Sequence, residues 1–213
     1  MIRLLIADDH TIMRDGLKRI LEGHEDFEVV GEATDGFQTM DWVRKGGFDI
    51  LLLDLSMPGK SGVDLIKQIK THAPKVPVLV LTMHEEELYA VRAIRAGASG
   101  YITKDSAATL LVEAIRRIAI GRLFISPQVA EQLALNMMPN TNELPHTKLS
   151  DREFEVFQLL VAGVSITHIG EKLYLSVKTV STHKTRILQK LSTQSIADLV
   201  KYAVTHDLLI KSI

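Results

Sequence analysis

Four stretches decide the fold: Leu4-Leu5-Ile6-Ala7 running into Asp8-Asp9, Ile50-Leu51-Leu52-Leu53 into Asp54, Val78-Leu79-Val80-Leu81 into Thr82, and Gly100-Tyr101-Ile102-Thr103 into Lys104. Each is a short, largely apolar run, the pattern of a strand covered on both faces. Neighbouring parallel strands place their carboxyl ends along one sheet edge, and open α/β sheets bind their ligands there. Asp8, Asp9, Asp54, the hydroxyl of Thr82 and the ammonium of Lys104 then meet in one shallow crevice. Such a crevice suits a divalent cation and a phosphoryl group.

Working outward, Arg3–Ala7, Glu28–Ala33, Ile50–Leu53, Val78–Thr82 and Gly100–Thr103 read as strands. Between them Thr11–Leu21, Phe37–Arg44, Val63–Thr71, Glu86–Arg95 and Ala107–Ile120 carry apolar residues at helical spacing. Strict β-α alternation predicts a doubly wound, five-stranded parallel sheet with helices on both faces. Turn residues fall between the elements, at Gly23, Gly46-Gly47, Pro58-Gly59, Pro74 and Gly97. Asp35 stands where it would cap the second helix.

This α/β pattern covers residues 1–122. Residues 123–147 read as a linker with one short helix, Gln128–Asn136, capped by Ser126 and started by Pro127. Pro139–Thr147 lacks periodicity and reads as its flexible part. From 148 to 213 strand signals stop, and Arg152–Ala162, Ile166–Tyr174, Lys178–Leu191 and Ile196–His206 form an all-α, four-helix domain. Ser150 with Glu153 makes a capping box, Ser176 caps the third helix, and Gly163 stands where the first should stop.

At 213 residues, 46% hydrophobic and 24% charged, the chain has the composition of a two-domain globular protein. It carries no cysteine, which suits a reducing cytoplasm and excludes disulfides and thiolate metal sites. No apolar stretch is long enough to span a bilayer, and Met1-Ile2-Arg3-Leu4 enters a strand without a signal-peptide pattern. The net charge of −1 conceals an asymmetry: residues 1–125 and 126–145 each carry −2, and residues 146–213 carry +3. The basic end points weakly toward nucleic acid.

The chemistry of the crevice follows from its groups. Asp8 and Asp9, adjacent at a strand end, can take different roles or hold a metal from two angles. Mg²⁺ prefers oxygen ligands and keeps several waters, so one or two carboxylates and a phosphate oxygen suffice. Asp54 is then placed to attack a phosphoryl group and form an aspartyl-phosphate, with Lys104 and Thr82 stabilising the transferred oxygens. None of the eight histidines falls at a zinc-ligand spacing; His10 is read as packing at the first helix start, and His84 with Glu85–Glu87 as a solvated loop. No phosphate-binding glycine loop occurs.

Asp8-Asp9, Asp54-Leu55-Ser56-Met57-Pro58-Gly59, Leu81-Thr82 and Gly100-Tyr101-Ile102-Thr103-Lys104 together resemble the receiver domain of bacterial response regulators, a flavodoxin-like fold. The resemblance implies that a sensor histidine kinase donates a phosphoryl group to Asp54. It implies Mg²⁺ held by Asp9, Asp54 and the Ser56 carbonyl, with Asp8 nearby through water. It also implies that Thr82 and Tyr101 move together toward the new phosphoryl group.

In the tail, Ile166–Tyr174, Leu175-Ser176 and Lys178–Leu191 form a helix-turn-helix pattern. The second helix carries Lys178, Lys184, Arg186 and Lys190 to reach phosphates, and Thr179, Ser181, Thr182, His183 and Thr185 to approach base edges. Leu149-Ser150-Asp151-Arg152-Glu153-Phe154-Glu155-Val156, Leu175–His183 and Ile187–Leu191 resemble the LuxR-type DNA-binding domain. Receiver plus this domain is the NarL/FixJ type of transcriptional regulator, which implies homodimers on paired DNA half-sites, favoured by phosphorylation. One departure stands out. Where such domains usually show Asn, a cation, Glu, Ile and Ala, this chain has Ile166, Thr167, His168, Ile169 and Gly170. A backbone-contacting cation is missing there, and Gly170 costs its helix about 1 kcal/mol relative to alanine.

The expected function is phosphorylation-switched DNA binding rather than catalysis, with slow autodephosphorylation at most. Two other readings use the same residues: an aspartate-nucleophile phosphohydrolase, and a DNA-binding regulator that no longer needs phosphate. Short loops without an inserted cap weigh against the first, and the complete acid, hydroxyl and lysine set against the second.

Overall fold

The apolar runs pair as five parallel strands, β1 Ile2–Ala7, β2 Phe27–Ala33, β3 Ile50–Asp54, β4 Val78–Thr82 and β5 Gly100–Thr103. Their order across the sheet is β2-β1-β3-β4-β5. The computed structural model describes residues 1–57, 62–82, 87–104, 108–135, 144–206 and 208–209. The chain divides into two units, Met1–Met137 and Met138–Ile213.

Around the sheet stand α1 Thr11–Glu22, α2 Gly36–Lys45, α3 Gly62–His72, α4 Glu87–Arg95 and α5 Ala108–Ala119. Strand pleating sends alternate residues to opposite faces. Leu4, Ile6, Ile50, Leu52, Leu79, Leu81 and Ile102 form one core with Leu17 and Leu21 of α1 and Leu111, Val112, Ile115 and Ile118 of α5. The intervening Leu5, Leu51, Leu53, Val78 and Val80 are buried as well. Strands covered on both sides leave no alternation in the sequence, which is why the runs read as continuous.

Element ends fall within a residue or so of the sequence reading. Pro58-Gly59, His84–Glu86, Ala107, Asn136 and Met137–Asn142 lie outside the described residues. Asp35 caps α2 by accepting the N–H groups of Phe37 and Gln38, as its position suggested. Ser126 caps the next helix, α6 Pro127–Leu135, by accepting the Val129 N–H at 3.2 Å.

Two features of the segment after α5 are not written in local pattern. Phe124 adds one bridge beyond the β5 edge: its carbonyl accepts the Tyr101 N–H and its N–H reaches Ser99, both at 3.0 Å. Further on, α6 packs on α4. Tyr89, Ala90, Val91 and Ala93 of α4 are all buried, a wider arc than one helix neighbour or one sheet can cover.

The second unit holds α7 Asp151–Val161, α8 Ile166–Leu173, α9 Val177–Lys190 and α10 Ile196–Thr205. Phe154 and Phe157 of α7 are fully buried, with Ile169, Val180, Ile187, Leu199 and Ala203 brought in from the other helices. The Ser150–Glu153 capping box and the Ser176 cap form as expected. Gly163 ends α7 with a φ of +80°, a backbone conformation that favours glycine.

The stretch read as a flexible linker needs correction at its end. Pro145–Lys148 is a 3₁₀ turn, and His146 is buried with its Nδ1 3.0 Å from the Tyr202 hydroxyl. Its ring also lies 5.6 Å from that of His206. Partners more than fifty residues away order this turn, and no local periodicity can announce them.

Gly170 also changes meaning. A Cβ there would stand 2.8 Å from the Leu175 carbonyl oxygen, inside contact distance of the backbone that turns into α9. The same turn is closed by the Leu175 N–H donating to the Gly170 carbonyl at 2.8 Å. Absence of a side chain therefore lets α8 and the turn close up. Gly170→Ala should lower the stability of the full chain by a net ~1–2 kcal/mol, because the backbone clash exceeds the roughly 1 kcal/mol of helix propensity gained. Circular-dichroism melting tests it: an unchanged or raised midpoint would mean that the turn yields freely.

Candidate functional site

Register brings the crevice together. Ala7 pairs with Leu53, so the next residues, Asp8 and Asp54, emerge side by side. Asp54 pairs with Leu81 and Thr82 with Thr103, so Thr82 and Lys104 follow at the same edge. The edge lies where β1 parts two chain directions, toward β2 on one side and β3 on the other.

Lys104 is the centre of charge. Its side chain is 4% exposed, and Nζ lies 2.7 Å from both Asp8 Oδ2 and Asp54 Oδ2. The Asp54 contact is a directed hydrogen bond. Asp8 Oδ2 meets the same ammonium as a close ion pair. The Lys104 N–H donates to the Thr82 carbonyl at 2.8 Å, which seats the lysine at the end of β4.

Asp54 is buried in a polar pocket. Its Oδ1 accepts the Ser56 N–H at 3.0 Å. Burial pushes its carboxyl above the ordinary carboxylate range, and this outweighs the opposing pull of Lys104 and the Ser56 N–H. For Lys104, burial disfavours the charged form. Hydrogen bonds and charges from Asp54 and Asp8 overcome that and hold its pKa above the usual lysine value.

Asp8 accepts the His10 N–H at 2.8 Å through Oδ1. Asp9 is partly exposed, yet its Oδ1 is buried and accepts no well-formed hydrogen bond, with His10 Nδ1 2.9 Å away. One ligand atom from each of Asp8, Asp9, His10 and Asp54 falls within 4.8 Å of the others. An oxygen-rich set of this size, with the buried Asp9 Oδ1 accepting no well-formed hydrogen bond, fits a hard divalent cation. His10, read in the sequence as helix packing, instead has an exposed ring beside both acids. Its place directly after the acid pair was the available signal.

Thr82 is fully buried and Tyr101 is 9% exposed, two residues from Thr103 along β5. Tyr101 is thus packed inside, with its main-chain N–H committed to Phe124.

The second unit sorts the residues expected to meet DNA. Lys178, Thr182, Thr185 and Arg186 are exposed along one stripe of α9, and Gln189 continues it. Gln189 was not singled out in the sequence; its i+3 spacing from Arg186 was the signal. Thr179, Ser181, His183 and Lys184 are half-buried. The Thr179 hydroxyl meets that of Ser176 at 2.8 Å, and Thr182 and Thr185 donate to the carbonyls one turn back.

Lys190 is exposed, but its ammonium turns back onto α7. Its Nζ lies 2.6 Å from Glu153 Oε2 and 3.1 Å from the Lys148 carbonyl oxygen, tying α9 to α7. Burial alone would raise the Glu153 pKa, but Lys190 and the Ser150 donors outweigh it and lower the pKa. His183 Nδ1 is buried without a hydrogen-bond partner. Burial lowers its pKa, opposed by Glu153 and reinforced by Arg152 and Arg186, which favours a neutral ring. In α8, Thr167 and His168 are exposed where a cation was expected, and Ile166 is half-buried.

An acid crevice at the carboxyl edge of a five-stranded α/β sheet, followed by a helix-turn-helix unit, defines a phosphoreceiver joined to a DNA-binding domain. Comparison with known proteins carries this further. Residues 4–116 match the response regulator receiver domain, and residues 147–203 match the luxR family of bacterial regulatory proteins. The chain is 37% identical over 210 residues to the response regulator GacA of Pseudomonas viridiflava, covering 98% of each. It superposes on RcsB of Salmonella enterica serovar Typhimurium, solved on promoter DNA with the phosphomimetic BeF3-, with a TM-score of 0.69 and 30% identity. That match covers 96% of this chain and 98% of RcsB. A structure of two RcsB dimers on two parallel DNAs is similar at a TM-score of 0.59 and 31% identity, with the same coverage. The chain belongs to the two-component response regulators with a receiver and a LuxR-type DNA-binding domain. No helix among the described residues is long and apolar enough to cross a membrane.

The buried lysine sets a testable pH dependence. A lysine whose folded pKa is raised stabilises the fold below its unfolded value and loses that effect only as pH climbs through the folded one. Lys104 thus contributes across the neutral range. Asp54, with its folded pKa raised, favours the protonated fold, and removing Lys104 raises that pKa further. Lys104→Met should therefore cost about 3–5 kcal/mol near pH 7 without added metal. The deficit should shrink as pH falls and the carboxyls take up protons. Urea unfolding at several pH values measures it, and a pH-independent deficit would contradict the assignment.

Proposed function

We propose that phosphorylation of Asp54 by a sensor histidine kinase controls DNA binding and transcription by this regulator. The observation that carries it is the crevice itself: Asp54 and Asp8 on Lys104, with the buried Asp9 Oδ1 beside them in an acid set close enough to share a cation. An Asp54 oxygen attacks phosphorus as the phosphorus–nitrogen bond of a phosphohistidine breaks, and the imidazole leaves. Lys104 then shifts its hydrogen bond from carboxylate to phosphoryl oxygens, and Thr82 donates to another. Asp8, Asp9, Asp54 and the Ser56 carbonyl would hold Mg²⁺, which supplies charge neutralisation for the phosphoryl oxygens when bound. His10 stands near enough to touch the same set.

Motion of the Thr82 hydroxyl toward the new charge leaves space that the buried Tyr101 ring can occupy, a discrete repacking that converts charge into shape. Output is carried by the exposed stripe of α9, with Lys178 and Arg186 on phosphates and Thr182, Thr185 and Gln189 near base edges. The RcsB relative, solved as dimers bound to DNA, supports homodimers of this chain on double-stranded DNA. A cytoplasmic regulator that hydrolyses its own acyl phosphate only slowly is the matching physiology. No cap domain stands among the described residues to enclose a small substrate.

Mg²⁺ with a small phosphodonor such as phosphoramidate should label the wild type and leave Asp54→Asn unlabelled, read by phosphate-affinity electrophoresis. Equal labelling of the variant would remove Asp54 as acceptor. On operator DNA, each phosphate contact contributes about −0.9 to the slope of log K against log salt. Lys178→Ala and Arg186→Ala should each flatten that slope by about one contact. Lys190→Ala should instead lower thermal stability and leave the slope close to wild type, because its ammonium serves Glu153.

A further inference from the structure

We propose that Arg14 is a positioning residue for the acid pair: it aims Asp9 into the crevice by holding the peptide that joins Asp8 to Asp9. This rests on the reading of the crevice as a Mg²⁺ and phosphoryl site. Nothing in the local sequence marks Arg14, which sits on α1 among residues read as an ordinary amphipathic helix.

Arg14 is 8% exposed, so its charge needs partners to be tolerated. Nε donates to Glu32 Oε2 at 3.0 Å, and Nη1 donates to the Asp8 carbonyl at 2.7 Å. Nη2 makes a long contact of 3.4 Å to the Thr11 hydroxyl. Glu32 is itself anchored, because its other oxygen takes Lys18 Nζ at 2.9 Å. Glu32 belongs to β2, immediately before Ala33, whose carbonyl accepts the Asp8 N–H at 3.0 Å. Both main-chain groups of Asp8 are thereby fixed to the β2 side of the site.

That matters for Asp9. The Asp8 carbonyl and the Asp9 nitrogen lie in one rigid peptide plane, so holding the carbonyl sets the direction from which the Asp9 side chain departs. Asp9 Oδ1 is buried without a well-formed hydrogen bond, and its close neighbour is the exposed ring of His10, with Nδ1 2.9 Å away. Asp8 differs: its carboxylate receives the His10 N–H and faces Lys104. Arg14 thus acts on the looser of the two acids, through the backbone. Groups that orient metal ligands from behind commonly govern affinity as strongly as a ligand does.

The test uses the full chain and phosphoramidate labelling across a Mg²⁺ titration, with thermal melting in parallel. Arg14→Gln should raise the half-saturating Mg²⁺ about tenfold or more, with a smaller fall in the rate at saturating Mg²⁺. Glu32→Gln, which leaves the arginine but frees its far side, should shift the same midpoint less. Arg14→Lys should fall between wild type and Arg14→Gln, since a single ammonium cannot reach the carbonyl and the carboxylate in the same fork geometry. A lowered melting temperature with wild-type Mg²⁺ dependence in these variants would overturn the proposal and leave Arg14 as a packing ion pair. Should Arg14→Gln not fold, Glu32→Gln and Arg14→Lys decide by the same midpoint. Absence of Mg²⁺-dependent labelling in the wild type would instead remove the reading of the crevice, and this inference with it.

Discussion

Lys104, 4% exposed between the carboxylates of Asp8 and Asp54, is the contact on which the first unit's site depends. Parallel register forces two acids together at the carboxyl edge, and a sheet cannot relocate them without slipping every paired residue. Crowded carboxylates repel, and burial penalises their charge further, as the raised pKa of Asp54 shows. A single ammonium offsets two of them. On the proposed function, the same ammonium would also meet a phosphoryl oxygen. A third acid, Asp9, is left partly open, and the site keeps an unmet demand for positive charge.

Strain of this kind is useful because it is confined to one edge. Behind the crevice the strands are buried on both faces, and the helices add their own apolar stripes. A dense core transmits small displacements as discrete repacking rather than as gradual bending. Tyr101 belongs to that core by its side chain and to the segment after α5 by its main chain, through Phe124. Tyr101 thus joins that core directly to the segment beyond β5.

The second unit uses its charges differently. On α9, Lys178 and Arg186 face outward, whereas the exposed Lys190 turns its ammonium back onto Glu153. Similar residue types on one helix thus do unlike work, and only their angular position decides which. Arg152 shows the same economy, reaching Glu155 and the Leu173 carbonyl to bind α7 to the end of α8.

Order and type of nearly every described element, the caps at Asp35, Ser126, Ser150 and Ser176, and the convergence of Asp8, Asp9, Asp54, Thr82 and Lys104 were legible in the sequence. These rest on interactions within a few residues, or on the single rule that parallel strands share an edge. Other features belong to the tertiary structure alone: Arg14 on the Asp8 carbonyl, Lys190 on Glu153, His146 against Tyr202, Phe124 on β5, and the Leu175 carbonyl against Gly170. Most of these join residues distant in the chain, and all depend on which way a side chain or a carbonyl turns once its element is packed. Periodicity records which face of a helix is apolar, but it carries no information about the partner that a buried polar group will find there.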